Sequence, residues 1–117
     1  MIRSVGLSTL PLLLAATLAS ANPAGAAGDY PTVTIADYVL GCMQANGQTR
    51  KALESCSCSI DVIASILPYE HYERAETFKS MSLSTGEAAG LFRESAPAKA
   101  ARTELKRAQS EADVRCF

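Results

Sequence analysis

The stretch TRKALESCSCSIDVIASIL, residues 49–67, decides the fold. Leu53, Cys56, Ile60, Ile63 and Leu67 recur at the three- and four-residue spacing of one helix face. A second strip beside it, Ala52, Ser55, Ser59, Val62 and Ile66, is made of small or β-branched residues. Only Glu54, Ser57, Asp61 and Ser65 look outward. The two strips cover more than half the circumference, whereas a surface helix needs a stripe of about 100°. The spacing predicts a central helix over residues 49–67 with neighbours on two sides.

The same stretch carries two of the four cysteines, Cys56 and Cys58. At about 100° per residue they stand roughly 200° apart on a helix. A disulfide needs Cα atoms ~4.4–6.8 Å apart and facing Cβ atoms, so a helical pair at this spacing does not bond to itself. Each must reach a distant partner, and the only others are Cys42 and Cys116. Cys42 lies shortly before Asn46-Gly47 and Cys56 shortly after it, both on inward stripes. An antiparallel hairpin brings that pair face to face. The preferred pairing is Cys42 with Cys56 and Cys58 with Cys116; Cys42–Cys58 with Cys56–Cys116 is the alternative. On the chain-entropy argument each bond is worth ~3–4 kcal/mol. That is comparable to the whole stability of so small a domain.

Working outward, Thr34 and Asp37 read as a capping box opening a first helix. Ile35, Tyr38, Val39, Cys42 and Met43 form its inward stripe, and Gly47 suits its C-terminal turn. Pro68 opens a third helix running to about Met81, with Tyr72, Ala75 and Phe78 inward and Glu70, Glu73, Glu76 and Ser80 outward. Ser84 with Glu87 reads as a capping box for a short helix that buries Leu91 and Phe92. Ser95 and Pro97 start a last helix striped by Ala98, Ala101, Leu105, Ala108, Ala112 and Cys116. No segment alternates as a strand would. The expected fold is all-α: a compact bundle of four to five helices stapled by two disulfides.

The N-terminus sets the compartment. Arg3, an apolar run from Val5 to Leu18 and then small residues form the order of a secretory signal, residues 1–21 with an alternative end at 26. The run is interrupted by Pro11 and falls short of the ~20 residues a bilayer span needs, so no stable membrane anchor is expected after cleavage. Residues 22–33 read as a flexible leader and residues 34–117 as the domain. Fewer than a hundred residues remain, and a core that modest benefits from staples. Four cysteines in a short exported chain read as a disulfide framework, placing it in the periplasm. The formal net charge is −1, becoming about −2 once Arg3 leaves with the signal. Both signs are interspersed, which excludes nucleic acid and anionic lipid as partners.

Chemistry has two candidate locations. A Cys-x-Cys pair can serve thiol–disulfide exchange or hold copper(I). Redox catalysis, however, wants an exposed thiol at a helix N-terminus, and Cys56 lies about two turns into its helix between Leu53 and Ile60. Plain staples are the better reading. His71, the only histidine, sits among Tyr69, Glu70, Tyr72 and Glu73. A lone histidine beside carboxylates can shuttle protons or sense pH, but no nucleophile or second histidine accompanies it. No catalytic, cofactor-binding or metal-binding residue is assigned. Residues 69–73 form the candidate interaction surface, whose acidic face suits a basic partner, while the tyrosines are expected to cap the core with their hydroxyls toward water.

YVLGCM at 38–43, ESCSCSIDVIA at 54–64, AETF at 75–78 and EADVRCF at 111–117 resemble a family of small exported four-cysteine proteobacterial proteins. Such proteins are associated with gene neighbourhoods of pyrroloquinoline-quinone-dependent alcohol dehydrogenases and their cytochromes. The resemblance covers residues 35–117 and implies a periplasmic accessory role with a protein partner; it brings no catalytic residues. The chain has no CxxCH motif, so it is not itself a c-type cytochrome. The expected function is a non-catalytic accessory or protein-binding module. The alternatives are a thiol-redox or copper-handling protein using Cys56 and Cys58, and a holdase chaperone.

Overall fold

The computed structural model describes residues 29–84 and 86–117, so the expected signal and all but the end of the leader lie outside the described residues. Five helices follow one another: α1 (Thr32–Asn46), α2 (Arg50–Ile66), α3 (Tyr69–Ser82), α4 (Glu87–Glu94) and α5 (Ala96–Cys116). No strand occurs among the described residues. The all-α bundle stapled by two disulfides is the observed fold.

Helix α2 starts where its sequence says it should. The Thr49 hydroxyl accepts from the Ala52 N–H at 3.1 Å, a side-chain N-cap satisfying one of the donors a helix start leaves free. Leu67 ends it ahead of Pro68. Gly47 turns the chain between α1 and α2 at φ +103°, a conformation that side chains with a Cβ rarely adopt.

Three cross-links zip the α1–α2 hairpin in antiparallel register. They are the Cys42–Cys56 disulfide, a 2.8 Å hydroxyl pair between Tyr38 and Ser59, and a 2.7 Å bond from the Tyr30 hydroxyl to the Leu67 carbonyl. As the α1 side steps backward along the chain, the α2 side steps forward. The α1 stripe of Ile35, Tyr38, Val39, Cys42 and Met43 faces inward as expected, yet each of these residues stays half-buried. Helix α1 therefore lies at the edge of the bundle.

The core sits among α2, α3 and α5. Ile60, Ile63 and Leu67 are essentially inaccessible and supply bulk. Opposite bulk of this kind α5 presents Ala98, Ala101, Leu105, Ala108 and Ala112, all buried. Large side chains on one helix lie against a flat alanine face on the other, which lets the two pack closely. Helix α5 packs against α2, α3 and α4, while α2 has α1 and α5 as its main neighbours. Leu53 and Ile66, expected on the buried strips of α2, are 36% and 42% exposed. They occupy its first and last turns, at the margins of the packed middle.

Three boundaries differ from expectation. Helix α1 begins at Thr32, capped by Pro31, so Thr34 is not the N-cap; its hydroxyl meets the Tyr69 hydroxyl at 3.4 Å instead. Tyr30, expected in the flexible leader, is 5% exposed and belongs to the core. Helix α4 starts after Gly86, whose φ of +106° again favours glycine, and Ser84 does not cap it. With only two turns, α4 has room for one inward stripe. Ala89 and Phe92 take it, three residues apart, and Leu91 is left 70% exposed. Phe92 meets Phe78 of α3 at 6.4 Å between ring centroids. Arginines close the ends: Arg93 donates to the Ser82 carbonyl at 2.9 Å and Arg102 to the Arg93 carbonyl at 2.8 Å.

Candidate functional site

The four cysteines are structural in arrangement. Cys42 bonds Cys56 and Cys58 bonds Cys116, each with Cα atoms 5.8 Å apart, and no thiol is free. Cys56 is wholly buried, while Cys58 and Cys116 are half-buried. Cys56 and Cys58 each hold a partner on a different helix, so the pair offers no two adjacent thiolates. The helical geometry that rules out a Cys56–Cys58 bond is what sends one sulfur toward α1 and the other toward α5.

The segment 69–73 divides. Glu70 and Glu73 are exposed, and Tyr69 and His71 are half-buried. Tyr72 is only 7% exposed and belongs to the core, as its inward stripe predicts, while also lining the clefts beside α1. The Tyr30 ring lies 5.2 Å from both Tyr69 and Tyr72, and its hydroxyl occupies the carbonyl at the end of α2. Three tyrosines thus pin the junction where α2 passes into α3. His71 Nδ1 lies 2.8 Å from Glu104 Oε1 on α5. A carboxylate only accepts, so Nδ1 carries the proton of that bond. The partner of His71 is therefore on another helix, where no sequence spacing could show it.

Between α1 and the pair α3–α5 runs an open cleft of about 710 Å³. Helix α1 gives it Asp37 and Tyr38, α2 gives Ser59, α3 gives Tyr72 and Glu76, and α5 gives Asp113. A second cleft of about 510 Å³ shares Asp37, Tyr72 and Glu76 with the first and continues toward Val33 and Met81. Lys79 is the one cation on the first, with its ammonium 3.8 Å from the Glu76 carboxylate. Among the described residues no three carboxylate, histidine or cysteine groups come close enough together to hold a metal ion.

The tyrosine hydroxyls of this region are held in the neutral form. Burial, with the neighbouring phenol of Tyr69, pushes Tyr30 up to about 12. Burial also raises Tyr72, with Glu76 the next cause and Tyr38, Tyr30 and Asp37 behind it. Tyr38 is raised by burial as well, against the opposing effect of its hydrogen bond to Ser59. Near neutral pH these phenols donate and accept hydrogen bonds and do not act as bases or nucleophiles. The cleft thus offers neutral phenols for hydrogen bonding beside the carboxylates of Asp37, Glu76 and Asp113. No family model, curated protein or solved structure matches the chain.

Proposed function

We propose that the chain is a non-catalytic accessory module that binds another protein in the periplasm, serving a quinoprotein dehydrogenase system. The observation that carries the binding role is the cleft along α1: a small stapled domain leaves a polar trough open between α1 and the α3–α5 pair, and floors it with neutral tyrosines. The two disulfides fit an oxidising, extracytoplasmic compartment, and among the described residues no helix is long and apolar enough to cross a membrane. The dehydrogenase setting follows from the sequence resemblance.

Photo-crosslinking tests both levels. A benzoylphenylalanine placed at position 80, on the cleft, should capture one periplasmic protein, whereas the same group at exposed position 107 should not. Identification of the captured protein as a dehydrogenase subunit or its cytochrome supports the setting. Absence of any specific adduct from the cleft, with unimpaired growth on alcohols after deletion of the gene, overturns the proposal.

A further inference from the structure

The cleft contains one polar group whose situation calls for a ligand. Tyr72 is 7% exposed, yet its hydroxyl makes no hydrogen bond to any described residue. The other two phenols near it are committed, Tyr38 to Ser59 and Tyr30 to the Leu67 carbonyl. No fully sealed polar side-chain atom among the described residues lacks a partner, so the Tyr72 hydroxyl keeps a small window, and the surface it lines is the cleft. A hydroxyl with no partner among the described residues that opens onto a trough is free to bond water or a donor or acceptor arriving from outside.

The charge around it selects the donor. Asp37, Glu76 and Asp113 line the first cleft against the single ammonium of Lys79, and Glu73 adds to the second. An excess of carboxylates along a cleft whose phenol stays neutral favours a cation bearing N–H groups. A divalent metal is a poor fit, because no three of these groups converge. The shape selects the size. Two clefts joined through Asp37, Tyr72 and Glu76 make an elongated path with Val33 and Met81 near one end and Phe117 near the other. A chain with an aliphatic stem and a cationic head matches that pattern.

We propose that the cleft receives a guanidinium or ammonium side chain from a basic segment of a protein partner. Asp37, Glu76 and Asp113 supply the countercharge, and the Tyr72 hydroxyl accepts a hydrogen bond from the bound N–H. Lys79 acts as the resident competitor, displaced from Glu76 when the partner's cation arrives. This inference rests on the reading of the chain as a protein-binding module.

The test uses the disulfide-intact protein and a short fluorescent peptide alternating arginine and leucine, with fluorescence anisotropy at low salt. Its counterpart carries citrulline for arginine, the same shape without charge. The arginine peptide should bind at least about tenfold more tightly than the citrulline one. Asp37→Asn, Glu76→Gln and Tyr72→Phe should each weaken it about three- to tenfold. Lys79→Met should tighten binding, a response no merely structural role predicts. Glu94→Gln, away from the cleft, should leave it unchanged, and circular dichroism confirms that each variant is folded. Equal affinity for the two peptides, or indifference to both Asp37→Asn and Glu76→Gln, overturns the cation assignment. Spermidine binding as tightly as the peptide overturns a protein as the source. Crosslinking from position 80 that persists while citrulline is tolerated removes the cation assignment alone; absence of crosslinking together with no binding of either peptide removes the binding-module reading as well.

Discussion

Replacing Tyr30 with phenylalanine removes one oxygen and keeps the ring. The ring still touches Tyr69 and Tyr72, but the Leu67 carbonyl loses its 2.7 Å donor. An orphaned buried carbonyl costs about 1–2 kcal/mol. Tyr30→Ala also removes the buried ring, and loss of a large aromatic side chain costs about 3–5 kcal/mol. A domain of this size holds roughly 5–10 kcal/mol in all. With a urea slope of about 1–1.5 kcal/mol per molar, Tyr30→Phe should lower the unfolding midpoint by about 1 M and Tyr30→Ala should leave the domain barely folded.

Alkaline titration adds a second arm to the same experiment. The Tyr30 phenol is pushed up to about 12 in the fold, chiefly by burial, against an ordinary value of 10.0. A raised pKa means stability fully present below pH 10 and lost as pH rises through 12, worth about 2–3 kcal/mol over that window. Tyr30→Phe has no such group to ionise. The wild type should therefore be the more stable protein near pH 8, and the two stability curves should converge and cross between pH 10 and 12. Circular dichroism at 222 nm in urea, at each pH, reads both effects. A midpoint shift under about 0.3 M for Tyr30→Ala, or a constant gap between wild type and Tyr30→Phe across that range, refutes the placement of Tyr30 in the core.

Other outcomes are checked by simpler measurements. Removing Cys58–Cys116, which closes a separation of 58, should cost about 4 kcal/mol, against about 3 for Cys42–Cys56 with its separation of 14, in paired serine variants melted without reductant. Gly47→Ala should destabilise by at least about 1 kcal/mol because of its positive φ. Gly41→Ala, inside α1 with open space around it, should stabilise by about 0.5–1 kcal/mol in the same urea assay. Leu91→Gln should change stability by less than about 0.5 kcal/mol, whereas Ala89→Leu should cost about 1–3 kcal/mol, reporting which residue of α4 faces the core. His71→Ala should stay within about 0.5 kcal/mol, since both partners of its bond to Glu104 are substantially exposed.

Periodic, long segments were legible in the sequence. Residues 49–67 carried their own cap, stripes and stop. The angle between Cys56 and Cys58 removed a bond between them, and the hairpin at Gly47 with the inward stripes of Cys42 and Cys56 favoured the observed pairing over its alternative. The alanine stripe of α5 was equally plain. Failures came where a local pattern met a competitor that spacing does not encode. Thr34 and Ser84 both had an acidic residue three positions on, yet Pro31 and Gly86 occupy the N-cap positions. Tyr30 was absorbed into its Pro/Ala/Gly neighbourhood, though an aromatic residue there was the one sign that the leader ends early. Tyr72 was legible as an inward residue from its spacing with Ala75 and Phe78, but the packing of Tyr30 against it was not. The acidic cleft was beyond reach for a plainer reason: Asp37, Glu76 and Asp113 come from three helices, and α1 meets the other two only through the tertiary fold.

The bonds Cys42–Cys56 and Cys58–Cys116 join cysteines that are consecutive along the chain, so the oxidised backbone is a figure of eight whose waist is the single residue Ser57. The two rings share no residue. A chain oxidised in order of emergence, first cysteine with second and third with fourth, arrives at the native set directly, with no bond to undo. The crossed alternative would have required an isomerase to break an early bond once Cys116 appeared. Two cysteines flanking one serine thus let oxidation proceed from one end to the other, with each ring closed before the next begins.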